Sequence, residues 1–519
     1  MLILLLLQLT LLLVISIDFS CSIGSHNYNI RSNDNGLLND DLNNIDSCEK
    51  YGLCSEYYNF CSEPRIFENI RKIPKINDKD DYKTLELIQV QSIIRHGART
   101  PTKYHKCWKG LVQSWNCDEL ITTVQASAYD VRNNTQTLEF SKHYDIRQWE
   151  NNLNGTCKMG QLISQGYEQH RINGRIIANA YFKSSKNGNN TNSLVTKNGL
   201  IIGNNYRDEI YIRSSDMQRT TVSAAALFTS LLEQVVGKDV TFKEFQKFPL
   251  HTMDIQSDYL FANANVENLT DHLRSALNSD EYFSIVDKHQ KLYEELELNV
   301  KTNRLKDLWP GDLMDCIMTT VCTGNYKKLP KGFVNNNLLN RTISAIEEEL
   351  FAIYTWNDSI LSKSEMSRLL YDIREYILNI ILYYEHNDNN NHNLNIICNN
   401  QIIGNINIIA NSSIIEPLCD KYNELKLSNI FKVNTPKFIL FSGHDTTIIP
   451  TLASLKLWDN HWPPYASTFI IELYKKPNLH ENNDDIEYII PYFFRLLYNG
   501  KVVTTKIKSC NSNEVCHVS

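Results

Sequence analysis

The chain is predicted to be an α/β protein: a mixed, mainly parallel sheet flanked by helices, with an inserted, mostly helical cap lobe. Three observations predict this. Apolar strand-like runs pass directly into a turn and then a helical pattern at three places, namely residues 85–99, 209–234 and 437–455. Between the second and third of these, roughly residues 245–430, apolar residues recur at helical spacing. A chain of 519 residues with 42% hydrophobic composition also exceeds what one hydrophobic core usually serves, so a second lobe is expected.

In order, LELIQVQSII (85–94) reads as a buried strand with Ile88, Val90 and Ile94 on one face, ending in RHGARTP. The second unit is a strand Glu209 to Arg213 followed by an Ala-rich helix. In the third, a strand Phe438 to Ser442 leads into Gly443, His444 and Asp445. STFIIELY and YFFRLLYNGKVV form a late pair of strands. Leu369, Ile373, Tyr376, Ile377 and Ile380 mark one packed helix of the middle segment. The Asn runs NGNNTN and HNDNNNHN read as low-complexity surface loops. The expected organisation is residues 1–22 signal peptide, 23–80 polar leader with a Cys-bearing segment, 81–244 and 431–519 α/β core, and 245–430 cap lobe.

The first residues, MLILLLLQLTLLLVISI, form an apolar run short for a membrane span and flanked by small residues, which predicts a cleaved signal peptide despite the missing positive n-region. Residues 24–46 are polar and are expected to be mobile. Cleavage after Cys21 leaves an even set of twelve of the thirteen cysteines, for which an oxidising route favours bridges. Cys316/Cys322 and Cys510/Cys516 are candidate small loops, while the connectivity stays open. Glycosylation acceptors stand at Asn133, Asn154, Asn189, Asn268, Asn340, Asn357 and Asn411. With a net charge of −7 there is no basic footprint for nucleic acid, no second apolar run long enough to cross a bilayer, and no Cys/His block with zinc spacing. No metal or other cofactor is expected, and a secreted or lysosomal destination is.

Polar clusters stand at three inferred strand C-termini: Arg95, His96 and Arg99, then Arg213, then His444 and Asp445. In open α/β sheets that edge is where ligands bind. Three arginines and two histidines in one place suit a dianionic phosphoryl group, whose oxygens match guanidinium forks. His96 is then the candidate nucleophile, kept neutral by surrounding cations. Gly97 is assigned to close backbone approach to phosphate. Asp445 is the candidate proton donor, which implies an acidic optimum. Taken singly, each signal is weak; the order and the strand contexts carry it.

The segments RHGARTPT, IRSSDMQRTTVSA, SGHDTT and PPYASTFIIEL resemble, in order, the signature blocks of the histidine acid phosphatase family, and GTCKMGQLISQGYEQHRINGRIIANAYF resembles the block after the first motif. The likeness runs from about Leu85 to the C-terminus and is similar to the secreted branch that includes 2-phosphoxylose phosphatase. It implies a phosphoglycerate mutase-like core and a metal-free phosphohistidine mechanism. It further implies His96 as the phosphorylated residue, Arg95, Arg99 and Arg213 as phosphate-binding arginines, His444 as second histidine and Asp445 as proton donor. Homodimerisation is implied as well. Arg219 is assigned to structure, as half of an ion pair in the following helix. Thr100 stands where family members often carry a larger or charged residue, which points to altered pocket access. The rival readings are a secreted signalling or binding protein on the same fold with little turnover, and a phytase-like enzyme acting on inositol polyphosphates. A mutase ranks lower. The expected substrate is a phosphomonoester.

Overall fold

The structure is a computed structural model. It describes residues 60–518 apart from 77–81, 83, 103–106, 109–110, 112, 118–123, 131–134, 143, 145–152, 183–205, 236–247, 262–267, 301–309, 335–336, 388–397, 399–414, 429–434 and 477–490. The expected signal peptide, the polar leader up to residue 59 and most of both Asn runs lie outside the described residues.

The main sheet has seven strands: β1 (Glu86–Arg95), β2 (Ile210–Ser214), β3 (Phe438–Gly443), β4 (Thr468–Lys475), β5 (Tyr492–Tyr498), β6 (Lys501–Val502) and β7 (Cys516–His517). Their order is β6-β5-β4-β1-β3-β2, with β7 also on β5. The sheet is mixed. Its parallel pairings join β1, β3 and β2, and all pairings on the β4 side of β1 are antiparallel. The expected late strand pair is β4 with β5.

Register fixes the site. Arg95 pairs with Gly443, and Ser214 with Ser442, so the three parallel strands end on one edge. All three strand–turn–helix units therefore deliver their turns to the same place.

Nine helices longer than four residues are described: α1 (Pro64–Ile70), α2 (Ser164–Tyr181), α3 (Gln218–Val235), α4 (Leu269–Leu277), α5 (Asp280–Val300), α6 (Pro310–Cys322), α7 (Leu338–Asn387), α8 (Ile415–Ser428) and α9 (Asp445–Ser454). Strand alternation divides the core into two faces. Phe438 and Leu440 pack with Ile177 of α2 and Leu227 and Leu231 of α3. Ile439 and Phe441 pack with Leu369 and Ile373 of α7 and Leu452 of α9. The predicted helix at 369–380 lies in α7, which breaks its helical backbone at Trp356–Ser359.

Ile88 does not share a face with Val90 and Ile94. A register shift between Leu87 and Gln89 inserts an extra residue, so Ile88 joins Leu378 and Ile381 of α7 while Leu87, Val90 and Ile94 face α2 and α3. On the α7 side, Gln89 donates to the carbonyls of Tyr376 and Pro436, and Gln91 to that of Ile373, which satisfies the amide nitrogens of two buried glutamines.

Five disulfides are formed among the described residues: Cys61–Cys322, Cys107–Cys316, Cys117–Cys157, Cys398–Cys419 and Cys510–Cys516. The expected loop at Cys510/Cys516 is present, but Cys316 and Cys322 do not pair. Both lie in α6, where six residues of helix separate their Cα atoms by about 9 Å, too far for a bridge. Instead α6 is stapled twice, once to the segment before α1 and once to the loop after β1. Of the described glycosylation acceptors, Asn154, Asn268 and Asn357 are exposed, whereas Asn340 is half-buried with its amide oxygen enclosed.

Candidate active site

His96 follows β1 directly and is 1% exposed. Its backbone is held by Gly443 and Ala466, its N–H donating to the Gly443 carbonyl and its carbonyl accepting from Ala466. The ring Nδ1 lies 2.9 Å from the carbonyl oxygen of Gly97, so Nδ1 carries the proton and donates it. The lone pair is thereby placed on Nε2, which Arg99 Nε approaches at 3.4 Å. Burial, then the charges of Arg99, Arg95, Arg219 and His444, hold the imidazole well below its ordinary pKa. The sequence points to the surrounding cations; burial is the larger cause of the lowering.

His444 stands opposite, its ring centroid 5.6 Å from that of His96. Its Nε2 is 2.8 Å from Ser215 Oγ, Phe261 meets its ring edge-on, and its N–H donates to Thr447 Oγ1. Burial, with Arg219, Arg99 and Arg95, lowers its pKa too. Asp445 opens α9, accepts from its neighbour Thr446 N–H, and binds Arg95 through Oδ2 at 2.7 Å. Arg95 also donates to the Pro463 carbonyl and lies over the Tyr465 ring at 4.5 Å.

Arg99 bonds Asp315 Oδ1 at 2.7 Å, and against the burial that lowers it Asp315 holds its pKa above the ordinary value. Asp315 Oδ2 accepts from the N–H and hydroxyl of Thr102, so one carboxylate of α6 ties the loop after β1 to the arginine. Sequence reasoning missed Asp315, which carries no motif and lies 216 residues from Arg99.

Arg213 and Arg219 do not stand as the sequence suggested: Arg219, not Arg213, is among the larger charges that act on the two histidines. Arg213 pairs with Asp258 at 2.7 Å, lies 3.7 Å over the Tyr259 ring, and is not among the larger charges acting on His444 and His96. It sits within the sheet, one residue before the end of β2, and its side chain is taken by the 253–259 segment. Arg219, in the first turn of α3, acts on both histidines and feels Arg99, Asp445, Asp315 and Arg95. Among the described residues it makes no ion pair, and its Nε has no hydrogen-bond partner. Burial and then Arg99 lower its pKa, to about 9. The third arginine beside His96 is therefore Arg219.

One further assignment changes. Gly97 is required by packing: a Cβ there would meet the backbone oxygen of Gly166 in α2 at 2.3 Å. Thr100 is fully buried; its hydroxyl donates to the Lys158 carbonyl and accepts from the Gln161 N–H. No group of three or more potential metal ligands occurs among the described residues.

Two buried histidines of lowered pKa, three arginines and the Asp445 side chain at a helix start are thus gathered at the ends of the parallel strands. The chain matches the family model described as histidine phosphatase superfamily (branch 2) over residues 86–499, and it belongs to that family. It is 22% identical over 427 residues to mouse (Mus musculus) lysophosphatidic acid phosphatase type 6, covering 81% of each chain. A protein of Dictyostelium discoideum named as a probable acid phosphatase is 23% identical over 465 residues, covering 84% of this chain and 76% of that one. Among solved structures, Hafnia alvei phytase in complex with tartrate aligns over 84% of this chain and 95% of its own at 11% identity, with a TM-score of 0.42. The chain is a phosphatase of the acid phosphatase type.

Proposed function

We propose that the enzyme hydrolyses phosphate monoesters through a phosphohistidine on His96. The observation that carries this reading is the tautomer: with Nδ1–H donated to Gly97, the free electron pair of Nε2 faces Arg95, Arg99 and Arg219. Nε2 attacks phosphorus, the bond from phosphorus to the alcohol oxygen breaks, and Asp445 gives that oxygen its proton. The arginines neutralise charge as it spreads over the phosphoryl oxygens. A water molecule then attacks phosphorus, Asp445 takes its proton, and the N–P bond breaks to release phosphate. His444, on the other side of the pocket, donates to a phosphoryl oxygen from the nitrogen not engaged by Ser215. The helices between residues 269 and 428 act as the cap that shapes the alcohol side.

A secreted or lysosomal setting is supported by the five disulfides and by exposed acceptors Asn154, Asn268 and Asn357. No helix among the described residues is long and apolar enough to cross a membrane. The deciding experiment is to quench turnover of a labelled phosphomonoester and map the adduct. An acid-labile, base-stable label on His96, absent from His96→Ala, is expected; a label elsewhere, or equal activity in both proteins, overturns the reading.

A further inference from the structure

Tyr465 belongs to the PPYAS segment before β4, and it is 1% exposed. Its ring packs beside the site residues: the Arg95 guanidinium lies 4.5 Å above it, the His96 ring centroid is 6.1 Å away, and Phe60 meets its edge. The backbone is fixed on the far side. Tyr465 N–H donates to Phe60, and its carbonyl accepts from Ser62 Oγ and from Arg71. Arg71 also donates to the carbonyl of Ala466, a non-glycine residue at φ 53°, so the turn is held where few side chains tolerate it. So much fixing of one residue needs a reason.

The hydroxyl supplies it. Although enclosed, it has no hydrogen-bond partner among the described residues. An unpaired buried hydroxyl is destabilising, and such a group in a native fold calls for explanation. The charges that act on it are those of Arg99, Asp315, Arg95 and Asp445, the groups that surround His96. Burial pushes it up to about 12, so it holds its proton and donates at any working pH. Two of the arginines that act on His96 also carry a nitrogen without a partner among the described residues, Arg95 Nε and Arg219 Nε.

We propose that the Tyr465 hydroxyl is a phosphate-binding donor, giving its hydrogen bond to an oxygen of the phosphoryl group beside Arg95 and Arg99. The inference rests on the phosphohistidine reading. In a merely structural role, the ring alone suffices.

The test is Tyr465→Phe, which keeps the ring on Arg95 and removes only the donor. Expected is a loss of roughly 10- to 100-fold in kcat/KM, with an equal weakening of inhibition by inorganic phosphate. The loss should be the same for aryl and alkyl esters, because the contact is to phosphoryl oxygen and not to the leaving group. The variant should melt no lower than wild type. Values of kcat/KM and phosphate inhibition within about twofold of wild type overturn the proposal, as does a lowered melting temperature, which would reveal a structural partner for the hydroxyl. A loss that grows with leaving-group basicity overturns it as well. Wild type and His96→Ala run alongside separate the two readings: an inactive wild type sinks the phosphohistidine mechanism, while phosphate's thermal stabilisation of wild type against Tyr465→Phe still tests Tyr465.

Discussion

Arg99 is shared between His96 and Asp315: its Nε points to His96 Nε2 at 3.4 Å while a terminal nitrogen binds Asp315 Oδ1 at 2.7 Å. Asp315 thereby aims the arginine. Asp315→Asn keeps the bond from Thr102 N–H but loses the charge. We expect kcat/KM to fall about tenfold, with weaker phosphate inhibition, because a charge-assisted bond is roughly twice as strong as a neutral one. Steady-state kinetics with phosphate as inhibitor measure it.

Arg219→Ala and Arg213→Ala should differ in kind. Removing Arg219 breaks no ion pair, so the melting temperature should hold while kcat/KM drops by about 10²–10³-fold, as for a lost transition-state donor. Removing Arg213 strands buried Asp258 and should cost about 3–5 kcal/mol of stability. Paired melts and kinetics decide; the opposite pattern would restore Arg213 to the phosphate.

The acid limb of the pH profile reports His96. A lowered pKa keeps the imidazole neutral as pH falls, so kcat/KM should persist well below 6.5, the ordinary value. Arg219→Gln removes one of the cations that disfavour protonation, which raises the His96 pKa and moves that limb to higher pH. A limb that stays in place would show that Arg219 does not act on His96.

His170, buried with Nε2 on the Arg95 carbonyl, has its pKa lowered by burial to about 3. Unfolded, it titrates near 6.5. The unfolded chain therefore binds more protons between those values. The contribution of His170 to stability is complete above pH 6.5 and falls by about 1.4 kcal/mol per unit as pH drops towards 3. Chemical denaturation of His170→Gln across this range should show a shallower slope than wild type.

Replacing Cys61 and Cys322 together by Ala should cost about 2–5 kcal/mol. Because the bridge anchors the helix that carries Asp315, phosphate inhibition should weaken along with stability. Denaturation and inhibition assays follow both.

What the chain discloses in one dimension depends on the range of each interaction. Arg95, His96, Arg99, His444 and Asp445 were legible because each follows an apolar strand, and strand ends converge wherever strands are parallel neighbours. Arg213 was preferred to Arg219 by the same logic. The strand-end residue is the one expected to bind phosphate, yet the helix that leaves that edge carries Arg219 in its first turn. Asp315 directly precedes Cys316 in a helix whose two cysteines have distant partners, so nothing local marks it. The inserted residue at Ile88 reversed one side chain in a pattern that alternation alone reads smoothly.

The segment from Phe60 to Arg71 precedes the region that the family model matches, which begins at residue 86. Yet Phe60, Ser62 and Arg71 grip the turn bearing Tyr465, while Gln169 joins the Cys61 and Ser62 carbonyls to the N–H of Ala98. A recombinant enzyme trimmed to the family boundary would thus lose the rear buttress of its own catalytic chamber, and expression work should begin upstream of Phe60.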